Sequence, residues 1–201
     1  MITIVDYGMG NLGSIKNMFK HIGVAASITG NPDEIASADK LLLPGVGAFD
    51  SAMTRINNSG LREILDHKAL VERVPVLGIC LGMQLLTTSS EEGSLPGLGW
   101  IPAVTTRFPS LSGLKVPHMG WNEVTPVRDS RLIADLPPHS RFYFVHSYCV
   151  HVIEPEDSIL QSTYALTFDA AIEHDNIYGA QFHPEKSHKF GMKLLSNFAG
   201  I

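Results

Sequence analysis

Short apolar runs alternate with helix-spaced patterns through the first half of the chain. Ile2 to Asp6 reads as a strand. Leu12 to His21 reads as a helix, because Ile15, Met18, Phe19 and Ile22 recur at the spacing that lines one helical face. Val24 to Ile28 and Lys40 to Leu43 follow as strands, the second stopped by Pro44-Gly45-Val46-Gly47. Phe49 to Ile56 and Leu61 to Val71 predict helices, and Pro75 to Ile79 a further strand. Such alternation places parallel strands in one sheet with crossover helices on its faces. From Gly99 to Gln181 the pattern changes to short β-like segments broken by proline and glycine. Examples are Ala103 to Phe108, Asn122 to Val127, Phe142 to Val152 and Ile177 to Phe182, before a last helix from Lys186 to Phe198. The expected fold class is α/β: a mixed, mainly parallel central sheet flanked by helices, antiparallel on one side. A length of 201 residues suits one well-filled domain, residues 1–201, with no repeat or linker.

Composition excludes several function classes. The net charge of −5 and the absence of a basic run argue against a nucleic-acid partner. No apolar stretch is long enough to span a bilayer, so no membrane role is expected. Met1 to Asp6 lacks the basic and apolar regions of a signal peptide and reads as a core strand. Cys80 and Cys149 show no disulfide pattern, which suits a reducing cytoplasm. His118, His139, His146 and His151 lack zinc-like spacing, so no metal and no cofactor is expected. Cys149 reads as a buried thiol and Trp100 as packing.

The chemistry concentrates at Gly78-Ile79-Cys80-Leu81-Gly82. A cysteine after an apolar run is usually a small core residue. Here glycines stand two residues away on each side, permitting a tight strand-to-helix turn that a Cβ would obstruct. Such an elbow pushes a nucleophile outward over a helix N-terminus, where a thiolate is stabilised. A nucleophile also needs a base, and the base an orienting group. Gln181-Phe182-His183-Pro184-Glu185 supplies both. Pro184 disfavours a helical His183, and in an extended segment His183 and Glu185 point the same way. Glu185 can then hold the imidazole in one tautomer. Pro44-Gly45-Val46-Gly47 reads either as a plain loop or as part of an oxyanion hole. In the second reading the Leu81 amide is one donor and an amide at Val46 or Gly47 the other. Gly8-Met9-Gly10-Asn11-Leu12-Gly13 matches a dinucleotide fingerprint, with Asp33 and Glu34 about 20 residues on. It supports a competing nucleotide-binding reading, which leaves the elbow and the His-Pro-Glu segment unexplained.

Taken together, the sequence resembles the class I (triad) glutamine amidotransferases, whose architecture is flavodoxin-like. The strings that carry the likeness are YGMGNLGS from Tyr7, LPGVGAF from Leu43, GICLGMQLL from Gly78, PHMGWN from Pro117, FYFVHSY from Phe142 and QFHPEKS from Gln181. They run from the first strand to the last helix. PHMGWN points to the branch that passes ammonia to a (β/α)₈-barrel cyclase in histidine biosynthesis. The resemblance implies Cys80 as nucleophile, His183 as proton carrier and Glu185 as its orienter. It further implies that Gln84, Glu92, Ser147 and Tyr148 bind glutamine. Asn11, Met119, Trp121, Asn122, Tyr143 and Lys186 would face the cyclase in a heterodimer. Many relatives have a glycine at the position of Val46, whose branched side chain resists φ > 0. The hole is therefore expected to be unformed in the free chain. Thr87-Thr88 and His188 depart from the common pattern near possible docking surfaces. They leave open a paralogous role, supplying ammonia to a cyclase-like partner for sugar amination in surface polysaccharides.

Overall fold

The computed structural model describes residues 1–201. The first half delivers β1 (Ile2–Val5), α1 (Leu12–His21), β2 (Ala26–Thr29), α2 (Pro32–Ala36), β3 (Leu41–Gly45), α3 (Phe49–Asn58), α4 (Leu61–Asp66), β4 (Val76–Cys80) and α5 (Leu81–Leu85). The second half adds β5 (Ser89–Ser90), β6 (Ala103–Arg107), β7 (His118–Glu123), β8 (Thr125–Pro126), β9 (Arg141–His146) and β10 (Tyr148–Val152). It closes with β11 (Ser158–Tyr164), β12 (Leu166–His174), β13 (Ile177–Ala180) and α6 (His188–Gly200). The main sheet runs β2-β1-β3-β4-β13-β12-β10-β6-β5. Pairing is parallel from β2 through β13 and antiparallel across β13-β12-β10-β6. The mixed, mainly parallel sheet expected from the alternation is therefore present.

Alternate side chains of the parallel strands enter opposite cores, as the period of two requires. Ile2, Ile4, Leu42, Leu77 and Ile79 pack with Phe19 of α1 and Leu194, Leu195 and Phe198 of α6. Val5, Leu41, Leu43 and Val76 pack with Phe49 and Met53 of α3 and Leu61 and Leu65 of α4. Strands buried on both faces read as continuous apolar runs, which is why Leu41, Leu42 and Leu43 are all fully buried.

Three of the expected elements take a different form. The helix predicted from Leu61 to Val71 is α-helical only to Asp66, then widens to a π turn over His67–Val71. The Asn176 amide captures the Ala69 and Val74 carbonyls there, and Lys68 is buried beside the Glu72 carboxylate. The predicted strand Asn122 to Val127 is split. β7 pairs with β9 in a separate two-stranded sheet, whereas β8 pairs with β11. The predicted strand Phe142 to Val152 likewise bends at Ser147 between β9 and β10.

Candidate active site

Three adjacent parallel strands, β3, β4 and β13, end at one edge of the sheet. Gly45 pairs with Cys80, and Ile79 pairs with Ala180, so the chain leaving β13 passes beside Cys80. Open parallel sheets place ligands at this carboxyl edge. Cys80 takes φ 54 and ψ −110, a strained turn for a residue with a side chain. Glycines make it possible. A Cβ at Gly78 would lie 2.6 Å from the Gly82 carbonyl oxygen. A Cβ at Gly82 would sit inside the Leu43 carbonyl. A Cβ at Gly45 would be 2.7 Å from the Tyr7 hydroxyl and 2.9 Å from the Gly82 nitrogen.

His183 stands just beyond β13 in an extended conformation, φ −100 and ψ 97. Its Nδ1 lies 2.9 Å from Glu185 Oε1, and both side chains are almost wholly buried. Glu185 sits in a 3₁₀ turn, Pro184–Lys186, rather than the extended segment expected, yet still reaches the ring. The Ser187 hydroxyl donates to the His183 carbonyl at 2.6 Å and accepts from the Tyr143 amide at 3.0 Å, tying this turn to β9. His183 Nε2 is buried and meets no partner at hydrogen-bond geometry. Burial by itself would lower the His183 pKa. The nearby Cys80 sulfur and the Glu185 carboxylate outweigh that and push it up to about 9. The Cys80 sulfur and the Glu185 carboxylate thus both favour the charged form of the imidazole.

A cavity of about 320 Å³ opens over this edge. Val46, Gly47, Cys80, Leu81, Gln84, Glu92, Ser147, Tyr148 and His183 all line it. The Gln84 Nε2 donates to the Tyr148 carbonyl and to Gln181 Oε1, both at 3.1 Å. With both amide hydrogens used, its carbonyl oxygen is the end left for a ligand. Glu92 Oε2 accepts from the Phe49 amide at 3.1 Å, and burial raises the Glu92 pKa despite that bond. Val46 is exposed and has no positive φ, whereas Gly47 has φ +115.

Of the residues expected on a docking face, Met119 and Trp121 are 62% and 39% exposed on the outer side of β7. The Lys186 ammonium lies 5.7 Å from the Tyr143 ring centroid, and Asn11 is exposed. Asn122 faces the other way. Its amide nitrogen donates to the Thr163 carbonyl at 3.0 Å and lies 3.3 Å from His118 Nε2. His188 has φ 47, a reason for the glycine common at that position, and its ring stacks on Trp121 at 5.5 Å. Trp100, expected to be packing, is buried and donates to Asp66 at 2.7 Å.

The glycine-rich loop after β1 does not form a phosphate cradle. A Cβ on Gly10 would press on Pro44 at 3.3 Å, and Met9 fills the space beside Gly47. Gly13, which should allow close packing, has open space around it. Asp33 and Glu34 lie in the first turn of α2 rather than at the end of β2. The loop instead braces the Pro44 segment, aided by a bond from the Tyr7 hydroxyl to the Pro44 carbonyl.

Gln181 is a further residue of this site. It is fully buried, and its Nε2 points at the Cys80 sulfur from 3.8 Å. An amide two residues before a histidine carries no chemical signature, so only the fold reveals it. No group of side chains suited to a metal is present, and no helix is long and apolar enough to cross a membrane.

Residues 3–200 match the family described as Glutamine amidotransferase class-I. The chain is 57% identical over 199 residues to imidazole glycerol phosphate synthase subunit HisH 2 of Methanococcus maripaludis, covering 98% of each. It is 50% identical over 204 residues to the HisH subunit of Bdellovibrio bacteriovorus, covering 100% of each. A chain of the PurLQS structure from Thermotoga maritima superposes with a TM-score of 0.75 at 16% identity, covering 99% of this chain and 96% of that one. The elbow, the carboxyl-edge cavity and a family match spanning nearly every residue agree: the chain belongs to the class-I glutamine amidotransferases.

Proposed function

We propose that this chain is the glutaminase subunit of an imidazole glycerol phosphate synthase. It hydrolyses L-glutamine to glutamate and ammonia for a separate cyclase subunit of histidine biosynthesis. The observation that carries the reading is that Cys80 and His183 line one cavity, with the buried Glu185 carboxylate bonded to the His183 ring from behind. The Cys80 sulfur attacks the side-chain amide carbon of glutamine. The carbon–nitrogen bond breaks, His183 gives its proton to the departing nitrogen, and a glutamyl thioester remains. Water then attacks the thioester, His183 takes a proton from it, and glutamate leaves with the sulfur restored. Glu185 holds the imidazole and steadies its charge.

The Leu81 amide and an amide at Val46 or Gly47 receive the developing oxyanion. Gln84, Glu92 and the backbone at Ser147 and Tyr148 hold the polar ends of the substrate. A Val46 without positive φ leaves the hole incomplete in the free chain. Met119, Trp121, Tyr143, Lys186 and Asn11 form the docking face for a (β/α)₈-barrel cyclase. Ammonia becomes ammonium in water, so a sheltered path to that partner is required. Residues 1–201 act as one domain, in the cytoplasm.

Glutamate release, measured with and without the cyclase, tests this. Cys80→Ala should abolish glutamine-dependent synthesis while ammonium salts still drive the cyclase. Retention of glutamine hydrolysis by Cys80→Ala, or loss of ammonium-driven synthesis as well, would sink the reading. A second reading, ammonia supply to a cyclase-like partner for sugar amination, rests on His188, which replaces the glycine common at that position and stacks on Trp121 of the docking face. Reconstitution with each kind of partner separates the two.

A further inference from the structure

Two buried histidines outside the triad form a chain of bonds that ends in the cavity. His118 on β7 and His146 on β9 are cross-strand partners, with Nδ1 of the first 2.9 Å from Nε2 of the second. His146 Nδ1 lies 2.7 Å from the Tyr148 carbonyl. That carbonyl also receives Gln84.

The direction of the chain can be read from both ends. The Asn122 carboxamide oxygen accepts from the Glu123 amide at 2.9 Å, and its nitrogen donates to the Thr163 carbonyl. The same nitrogen therefore donates to His118 Nε2 at 3.3 Å, which makes that atom an acceptor. A neutral His118 must then carry its proton on Nδ1. At the far end a carbonyl can only accept, so His146 carries its proton on Nδ1 as well. The two deductions meet at the central contact, where His118 Nδ1–H donates to a bare His146 Nε2. Both rings are neutral at pH 7, because burial lowers His118 to about 4 and His146 to about 3. The aromatic box of Phe108, Phe144, Tyr164 and Phe168 fixes the His118 ring, with Tyr164 stacked at 4.1 Å.

We propose that Asn122, His118 and His146 are positioning residues, a one-way hydrogen-bond relay that locks the Ser147 bend and so places the backbone groups that receive glutamine. The bond from His146 to the Tyr148 carbonyl spans the bend, closing it. Just before the bend, on β9, the Val145 carbonyl lies 3.9 Å from the Cys80 sulfur. A pair of core histidines serving only to fill space would need no common direction and no end point in a cavity. The proposal rests on the glutaminase reading for its substrate, but not for its geometry.

Two measurements test it. Two-bond proton–nitrogen spectra of the histidine-labelled chain at pH 7 report tautomers directly. Both His118 and His146 should carry Nδ1–H, the less common form of a free imidazole; Nε2–H or an imidazolium at either one overturns the relay. Kinetics with the cyclase partner give the second readout. His118→Phe keeps the ring shape and removes the donor, and should raise the glutamine KM about tenfold with kcat within about twofold. His118→Asn restores a donor near the Nδ1 position and should recover most of that loss. Unchanged KM in a folded His118→Phe, or no recovery by His118→Asn, overturns the proposal. Absence of glutamine-dependent activity in the wild type instead sinks the glutaminase reading, and the tautomers then judge the relay alone. They also decide if His118→Phe does not fold.

Discussion

Gly82 shows how much of the site is set by a single missing side chain. It lets α5 approach β3 until the Leu43 carbonyl occupies the place of a Cβ. Gly82→Ala must push two backbone segments apart, so it should cost about 2 kcal/mol or more, read as a fall in urea midpoint. Gly13→Ala makes the contrast. Gly13 lies in the first turn of α1 with nothing within 4 Å, and alanine there should stabilise by roughly 0.5–1 kcal/mol. Equal effects at the two glycines would refute this account of the elbow. The glycines around Cys80 and the His-Pro-Glu triplet are legible in the sequence because each is a local requirement. Gln181, His118 and His146 are not, because their partners come from elements distant in sequence. His118 and His146 lie 28 residues apart and meet only through the β7–β9 register. Judged by metal-ligand spacing, they carried no signal.

At the scale of elements, local chemistry and tertiary partners divide the control. α1 was legible because Ile15 and Phe19 stand one turn apart on a buried face. α2 was missed although its start is written in the sequence. Asn31 caps the Asp33 amide at 2.9 Å and Pro32 opens the helix. Where β7 ends and β8 begins cannot be read locally, since the change of partner sheet happens at Val124, whose amide turns to the Ser140 carbonyl. α3 shows tertiary capping. Its N-cap residue, Ala48, offers no side-chain acceptor, and Glu92 supplies one from 43 residues away. Asp50 fastens the same loop by accepting the Ser94 and Leu95 amides, which hold its carboxyl below the usual range. Glu92→Ala should therefore cost about 1 kcal/mol of stability. It should also raise the glutamine KM, because the same carboxylate lines the cavity. A change in KM with no change in urea midpoint would remove the capping role.

The whole molecule combines two opposite histidine proton linkages, one acting on each side of neutral pH. His118 and His146 are held neutral, with pKa values lowered from 6.5 to about 4 and about 3 by burial. The unfolded chain takes up protons below pH 6.5 that these rings refuse, so stability falls as pH drops from 6.5 toward 4. His183 has the reverse sign. Its pKa of about 9 means that the native state keeps a proton between pH 6.5 and 9 that the unfolded chain releases. That contribution is complete below pH 6.5 and is lost as pH rises through 9. These two contributions are jointly largest near pH 6.5, with the active-site pair governing the alkaline side and the relay pair the acid side. Urea midpoints across pH 4.5 to 9.5 should trace this shape. Glu185→Gln should flatten only the alkaline limb, because it removes a carboxylate that holds the His183 proton. His118→Phe should flatten only the acid limb. If either substitution altered both limbs equally, the two histidine systems would have to be one coupled network rather than two, joined where His146 and His183 share the cavity wall.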